Sequence, residues 1–312
     1  MIYEKRISVV ITTYNGQKYI EEMLDSIRLQ TVIPDEVLIY DDASCDETVR
    51  KIEGFISENK LDNWILFQNK ENLGWRKNFY NAICAATGDY IFLADQDDRW
   101  DLNKIEYYID ALSREKNIQL LCSNFHVVSN NNAKVWPGKF PQIDDGTITR
   151  VKPTKNNLCL VRPGCTFCIT KELKHFYNEL ADGSETYDLF LWDLALLNDG
   201  LAILNKKLLY YNRHEESVTN HKRLGLDERR KLLENDYLCI VRKISNSISK
   251  SSNNQNRIAL ARGCVDYCRA RCRLLDKKTN ILVSSLGLLK YIQYYPKIST
   301  YVYDIIVRIK GK

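Results

Sequence analysis

The residues best equipped for chemistry crowd into one short stretch. The run YIFLADQDDRW, residues 90–100, leads five residues of buried-strand character straight into Asp95, Asp97 and Asp98, three carboxylates within four positions. Two like charges about 5 Å apart repel by roughly 3 kcal/mol at the effective dielectric of a protein surface, so a cation is expected to offset them. Asp95 and Asp97 stand two apart at the end of a strand and should project from one face, with Gln96 on the other. Hard oxygen ligands so spaced suit Mg2+ or Mn2+, which take one or two carboxylates and complete their shells with substrate phosphates. Asp98 or Asp101 is expected to cap the helix that begins near Leu102, a role that Asp favours. That leaves Asp95 and Asp97 for the ion.

No Walker-type loop accompanies these acids, and Gly16, the only glycine near the first strand, is isolated. A diphosphate bound here would be neutralised by metal and a few side chains. That points away from nucleoside triphosphate hydrolysis and toward a sugar nucleotide, whose diphosphate is a leaving group.

The elements that must position these residues are legible in the first 115 residues. ISVVITTY, EVLIYDD, WILFQN and YIFLADQD are short, β-branched and almost continuously apolar, as buried parallel strands are. Between them run helical periods: Ile20, Met23, Leu24 and Ile27, then Ile105, Tyr108, Ile109 and Leu112. Ser44 and Glu47 have capping-box spacing ahead of the second helix. Four βα units predict a mostly parallel sheet with helices on both faces. Ligands of such sheets bind beyond the carboxyl ends of the strands, where TTYNG, DDASCDE and DQDD all fall.

Beyond residue 115 the pattern loosens. LLCSNFHVVS and LLYYNRH read as strands, and SETYDLFLWDLALLNDG as a helix closed by Gly200. From about residue 226 the chain is helical and more basic. Ile258, Ala261, Val265, Cys268, Cys272 and Leu275 form a packing seam in alternating three- and four-residue steps. SKSSNNQN, residues 249–256, reads as a loop. The domain expectation is a nucleotide-sugar-binding half over residues 1–115, an acceptor-binding and catalytic half over 116–222, and a helical basic region over 223–312. From Lys278 to Lys312 six Lys/Arg and one Asp are interspersed with Tyr, Ile, Leu and Val. Such a segment fits either the headgroup region of an anionic membrane or an ordinary helical packing face.

Composition narrows the class. The 312 residues are 45% hydrophobic and 27% charged, which suits a globular chain with a full core rather than a disordered one. A formal charge of +5 selects no partner. Tyr, Lys and Arg are abundant but form no RNP-type or helix-turn-helix signature, so no nucleic-acid partner is expected. The N-terminus lacks the apolar region of a signal peptide, and no apolar run approaches the ~20 residues of a membrane span. The expected location is the cytoplasm, with room for peripheral attachment at the cytoplasmic face of the membrane. The ten Cys should then be free thiols. Cys165 and Cys168 form a CxxC, but no second CxxC or paired His completes a zinc set, so they read as small buried hydrophobes.

In combination these motifs resemble the family-2 glycosyltransferases, which have the GT-A fold, Rossmann-like with a mostly parallel sheet. VVITTYNGQKYIEEMLDSI, VLIYDDASCDET, NLGWRKNFYNAICAATGDYIFLADQDDRW, YDLFLWDLALLNDG and YNRHEESVT appear in family order over roughly residues 5–220. The resemblance implies that Thr12, Tyr14 and Asn15 line the base and ribose pocket and that Asp41 or Asp42 recognises the base. Lys77 stands near the nucleotide where relatives often carry Arg. Asp95 and Gln96 lie on the donor side of the DxD motif, and Asp97 on the metal. Asp188 matches the acceptor-activating base, with Asp193 as its rival; on one helix the two face differently. His214 matches a metal or phosphate contact, although Asn212 stands where relatives carry Arg.

The function implied is an inverting, metal-dependent transfer of a sugar from a nucleoside-diphosphate donor to a hydroxyl of a growing polysaccharide or lipid-linked glycan. The DQDDRW variant resembles rhamnosyltransferases, which puts dTDP-rhamnose first and a UDP-hexose second as donor. A sugar nucleotidyltransferase and a non-catalytic membrane adaptor are the other classes to separate. Nothing in the sequence names the oligomeric state, and an oligomer is compatible with it.

Overall fold

The computed structural model describes residues 5–129, 140–158, 160–213 and 224–311. The described residues fall into two units: Met1–Val151, Val161–Gly183 and Gly200–Glu215 in one, Lys152–Leu160, Ser184–Asp199 and Glu216–Lys312 in the other.

The first unit is built on apolar runs that become strands because β-branched residues fit a pleated surface buried on both faces. Its elements begin with β1 (Ile7–Thr13), α1 (Ile20–Arg28), β2 (Glu36–Asp41), α2 (Thr48–Glu58), β3 (Trp64–Gln68), α3 (Trp75–Ala85) and β4 (Tyr90–Asp95). They continue through β5 (Arg99–Trp100), α4 (Lys104–Arg114), β6 (Leu120–Ser129), β7 (Ile148–Arg150), β8 (Phe167–Thr170), α5 (Lys171–Leu180) and β9 (Leu201–Arg213). Among the described residues these nine strands make one sheet in the order β3-β2-β1-β4-β8-β6-β9-β5, with β7 on β9. β1, β2, β3 and β4 are mutually parallel, β8 runs antiparallel between β4 and β6, and β6 and β9 are parallel.

Alternation along β1 assigns the two faces. Ile7, Val9 and Ile11 join a core with Ile20, Met23, Leu24 and Ile27 of α1, Ile52 of α2 and Ile105, Tyr108 and Ile109 of α4. The opposite face is covered by α3, which packs on β1 and β2 with Phe79, Ala82 and Ile83 buried. The expected helical periods therefore face the sheet. β3 differs from the expectation of a doubly buried strand: it is the edge of the sheet, and Ile65 and Phe67 stay exposed.

Two local expectations differ from the structure, and one pair of alternatives is resolved. Ser44 does not cap α2; its hydroxyl donates to Asp41 Oδ2 at 2.5 Å, and Asp46 accepts from the Thr48 N–H at 3.0 Å instead. Asp101, not Asp98, serves the start of α4, accepting from the Asn103 N–H at 3.1 Å. Of SKSSNNQN, residues 249–251 continue a helix and only 252–254 form the loop.

The second unit is helical: α6 (Tyr187–Leu197), α7 (Leu226–Leu232), a π-helical turn over Leu233–Tyr237, α8 (Leu238–Ser251), α9 (Gln255–Leu275), α10 (Ile281–Leu289) and α11 (Ile298–Lys310). α6 ends before Gly200, with Asp199 rather than glycine in the left-handed conformation. The six seam residues of α9 are all buried. Asp304 of α11 is fully buried and bonded by Arg271 Nε at 2.7 Å, Arg229 Nη1 at 3.4 Å and the Tyr295 hydroxyl at 3.0 Å. Among the described residues every Cys is a free thiol, and no helix is long and apolar enough to cross a membrane.

Candidate active site

Strand order determines which residues meet. The chain runs outward from β1 through β2 to β3 on one side and returns to β4 on the other, so the crevice beyond the strand ends opens at β1. Register sets Thr12 opposite both Asp95 of β4 and Tyr40 of β2, and Thr13 opposite Asp41. Residues more than 80 positions apart in sequence thus share one edge.

The loop after β1 is stitched into place by side chains from both neighbours. Gln96 does not point away as its strand position suggested, because β4 ends at Asp95 and Gln96 and Asp97 form a turn. Its Oε1 accepts from the Tyr14 N–H at 2.8 Å and its Nε2 donates to the Tyr14 carbonyl at 3.0 Å. Asn15 adopts φ of 48°, donates its N–H to Ser44 Oγ and accepts from the Cys45 N–H through Oδ1, both at 2.9 Å. At Gly16 a Cβ would lie 2.2 Å from Gln96 Oε1, so any side chain there would push Gln96 off the Tyr14 backbone. Tyr14 and Asn15 remain exposed and Thr12 half-buried.

Asp41 and Asp42 are both buried and both bonded by the protein. Asp41 accepts from the Thr13 hydroxyl at 2.8 Å and the Ser44 N–H at 2.9 Å. Asp42 accepts from the Leu73 and Gly74 N–H groups, each at 2.8 Å, and from Asn69 at 2.9 Å. Lys77, half-buried on α3, donates to the Asp182 carbonyl at 2.7 Å and lies over the Tyr80 ring.

The DQDD run gives a different grouping from the one its spacing suggested. Ligand atoms of Asp95, Asp98 and Cys165 lie within 4.8 Å of one another, while Asp97 sits half-buried in the turn outside that group. Asp98 is buried; its Oδ1 accepts from the Asn212 N–H at 3.0 Å and its Oδ2 has no hydrogen-bond partner. Burial, reinforced by the charges of Asp97 and Asp95, holds the Asp98 carboxyl well above the usual carboxylate range. Lys104, fully buried on α4, donates to the Cys165 carbonyl at 3.0 Å and stacks over Trp100. Burial pulls its ammonium down to about 8, against the attraction of neighbours that include Asp98 and Asp95. Neither Lys104 nor Cys165 was singled out from sequence for this site. The one available signal was a lysine adjoining the apolar period of α4.

A hard divalent cation fits the oxygens of this set. Asp98 Oδ2 is a buried oxygen with no well-formed hydrogen bond; the Cys165 thiol beside it is only a weak donor, so a hard cation would complete it better. The Cys165 thiol does not add to the fit, because sulfur is a soft ligand and burial keeps it protonated. His214 lies outside the described residues.

The two candidate bases differ in burial. Asp188 is half-buried in the first turn of α6, where the helix N-terminus favours negative charge, and accepts from the Leu189 N–H at 2.8 Å. The residues before it are pinned within the helical unit. Asp236, in the π-helical turn, accepts from the Thr186 N–H at 3.0 Å and from its hydroxyl, and buried Glu185 pairs with Lys243. Asp193 is fully buried with neither oxygen hydrogen-bonded, and burial raises its carboxyl to about 8.

A mostly parallel sheet with acids at the carboxyl end of β4, beside β1, is the frame expected of a nucleotide-sugar-dependent transferase. Comparison with known proteins agrees. The profile of glycosyl transferase family 2 matches residues 8–174. The dTDP-rhamnosyl transferase RfbG of Shigella flexneri is 30% identical, over 78% of this chain and 87% of that protein. The UDP-Glc:alpha-D-GlcNAc-diphosphoundecaprenol beta-1,3-glucosyltransferase WfgD of Escherichia coli is 27% identical, over 69% and 80% respectively. A crystal structure of S. aureus TarS in complex with UDP-GlcNAc superposes with a TM-score of 0.62 at 20% identity, covering 96% of this chain and 81% of that one, a likeness of fold. The chain belongs to glycosyl transferase family 2, and its fold is GT-A.

Two outcomes follow. Gly16→Ala forces Gln96 off the Tyr14 backbone, and hydrogen exchange at the Tyr14 amide should accelerate by up to about tenfold, the equivalent of one net hydrogen bond; unchanged protection would contradict the close approach. Asp193 has a folded pKa raised above its unfolded value, so its stabilising contribution is complete below about pH 4 and is lost as pH rises to about 8. Across that window Asp193→Asn should gain on the parent protein by roughly 1.4 kcal/mol per pH unit. Parallel stability profiles from pH-dependent thermal unfolding would rule this out.

Proposed function

We propose that this transferase works by a single inverting displacement, moving a sugar from a nucleoside-diphosphate donor to a hydroxyl of a cell-surface polysaccharide or lipid-linked glycan. The reading is carried by the buried, incompletely satisfied acid group at the carboxyl end of β4, in register with Thr12 of β1. Thr12, Tyr14 and Asn15 border the base and ribose, with Asp41 and Asp42 behind them. Their carboxylates hold the loops that shape this edge, and one of the two reads the base. Lys77 stands near the nucleotide. Asp95 and Gln96 orient the donor, and Asp97 with its acidic neighbours would hold Mg2+ or Mn2+. When bound, such an ion would supply Lewis-acid stabilisation of the departing diphosphate.

Asp188 accepts the acceptor hydroxyl's proton as that oxygen bonds to the anomeric carbon; the anomeric C–O bond to phosphate breaks on the opposite side, and the nucleoside diphosphate leaves. General-base assistance of this kind contributes about 10² to 10⁴ in rate. Burial of Asp193 supports Asp188 as the base. His214, which lies outside the described residues, is kept as a metal or phosphate contact on the resemblance of YNRHEES to the family pattern.

dTDP-rhamnose is the first donor to test, supported by the name of the 30%-identical RfbG and by the DQDDRW motif. A UDP-hexose is the second, supported by the UDP-Glc in the name of WfgD and the UDP-GlcNAc bound to TarS. WfgD's diphosphoundecaprenol acceptor supports a lipid-linked acceptor here. Nucleoside diphosphate release across dTDP-, UDP- and GDP-sugars decides among donors, and no release from any of them would refute the reading. Asp97→Asn should abolish Mn2+-dependent binding of the nucleotide in calorimetry; unaltered affinity would remove Asp97 from the metal. Asp188→Asn should keep donor affinity within about twofold while transfer falls by about 10² to 10⁴. Retained turnover would place the base elsewhere.

A further inference from the structure

The last two helices use only part of their apolar surface for packing. α10 and α11 lie antiparallel: the Tyr301 hydroxyl donates to the Ser285 carbonyl at 3.1 Å and Arg308 to the Thr279 carbonyl at 2.9 Å. Both pack on α9. Leu288 of α10 and Asp304 and Val307 of α11 are the buried positions.

The remaining apolar side chains face away from that packing. On α10, Leu282, Val283, Leu286 and Leu289 fall within an arc of about 120° at 3.6 residues per turn. On α11, Ile298, Val302, Ile306 and Ile309 fall within about 80°. Leu282, Val283, Leu286, Ile298 and Ile309 are each 67–70% exposed. α10 and α11 thus each carry an exposed apolar stripe, and so much exposed apolar surface on two packed helices marks an interaction surface.

Charge selects the occupant. Lys278, Lys290, Lys297 and Lys310 are exposed on the same two helices and the turns that flank them. The only acid between residues 277 and 311 is Asp304, which is fully buried and neutralised by Arg271 and Arg229. Every exposed ionisable carboxylate or ammonium in this segment is therefore cationic. A second copy of the chain docked face to face would set these lysines against one another, whereas an anionic bilayer complements them. The lengths agree as well: at 1.5 Å per residue neither the 9 residues of α10 nor the 13 of α11 can cross a hydrocarbon core of about 30 Å, so the helices lie along the surface.

We infer that α10 and α11 form a docking surface for anionic phospholipid bilayers, their outward stripes entering the boundary between headgroups and acyl chains and the surrounding lysines pairing with lipid phosphates. The test of this surface needs no activity. The full chain is floated with vesicles of phosphatidylcholine, with and without phosphatidylglycerol, at low and high salt. Binding should require phosphatidylglycerol and weaken with salt.

Lys290→Gln/Lys297→Gln/Lys310→Gln should lower partitioning by on the order of 100-fold, from about 1 kcal/mol per surface cation. Leu282→Gln/Leu286→Gln/Ile309→Gln should lose binding at least as severely. All six positions are exposed, so circular dichroism should match the parent protein. Equal binding to pure phosphatidylcholine, or no binding to either vesicle, overturns the inference. So does a dimer in sedimentation equilibrium that the apolar variant dissolves while vesicle binding is unchanged.

Discussion

The structure is organised around the cost of placing Asp95, Asp97 and Asp98 at the end of a buried strand. Three carboxylates in four positions repel one another, and burial of Asp98 adds a desolvation penalty. The protein meets part of that cost with its own groups. Lys104 supplies a buried positive charge from α4, and the Asn212 N–H reaches Asp98 from β9. One acceptor, Asp98 Oδ2, is left incomplete. A site that satisfied every oxygen internally would have nothing left for a cation. This one is held together while still short of a partner.

Several features of the fold serve that arrangement. β9 is 13 residues long, pairing with β6 along its length and with β5 near its end, so that Asn212 arrives beside Asp98. The two-residue β5 fastens the chain just after the acids to the same strand. On the other side, Gln96 clamps the Tyr14 backbone and ties the acid turn to the loop after β1. Asp41, Asp42 and Asp46 act as acceptors for backbone N–H groups in neighbouring loops. Carboxylates are used in two ways at this edge: some brace loops, and some stay available for charge.

The helical unit makes a similar distinction between two aspartates five residues apart. Asp188 sits in the first turn of α6, in a segment pinned by Asp236 and by the Glu185–Lys243 pair. Asp193 lies about one and a half turns on, fully buried with neither oxygen hydrogen-bonded. Helical periodicity turns a spacing of five residues into opposite environments. At the far end of the unit, Asp304 draws Arg229 and Arg271 inward, and the lysines of α10 and α11 are left as the outward charge.

What could be read from the sequence was what short-range physics controls. The alternation of buried strands, the apolar periods of α1 and α4, the seam of α9 and the family motifs in order gave the GT-A frame and the location of the acid cluster, because side-chain period and turn chemistry act within a few residues. Only the tertiary structure decided which acid did what. Of the two cap candidates Asp98 and Asp101, it is Asp98 that is buried against Asn212, 114 positions away. Gln96, expected to point away from the site, holds Tyr14, 82 positions away. Lys104 was hidden because a lone lysine beside an apolar period looks like a solvated one until the fold buries it. Burial and partnership are properties of chain segments brought together from afar, and no local pattern encodes them.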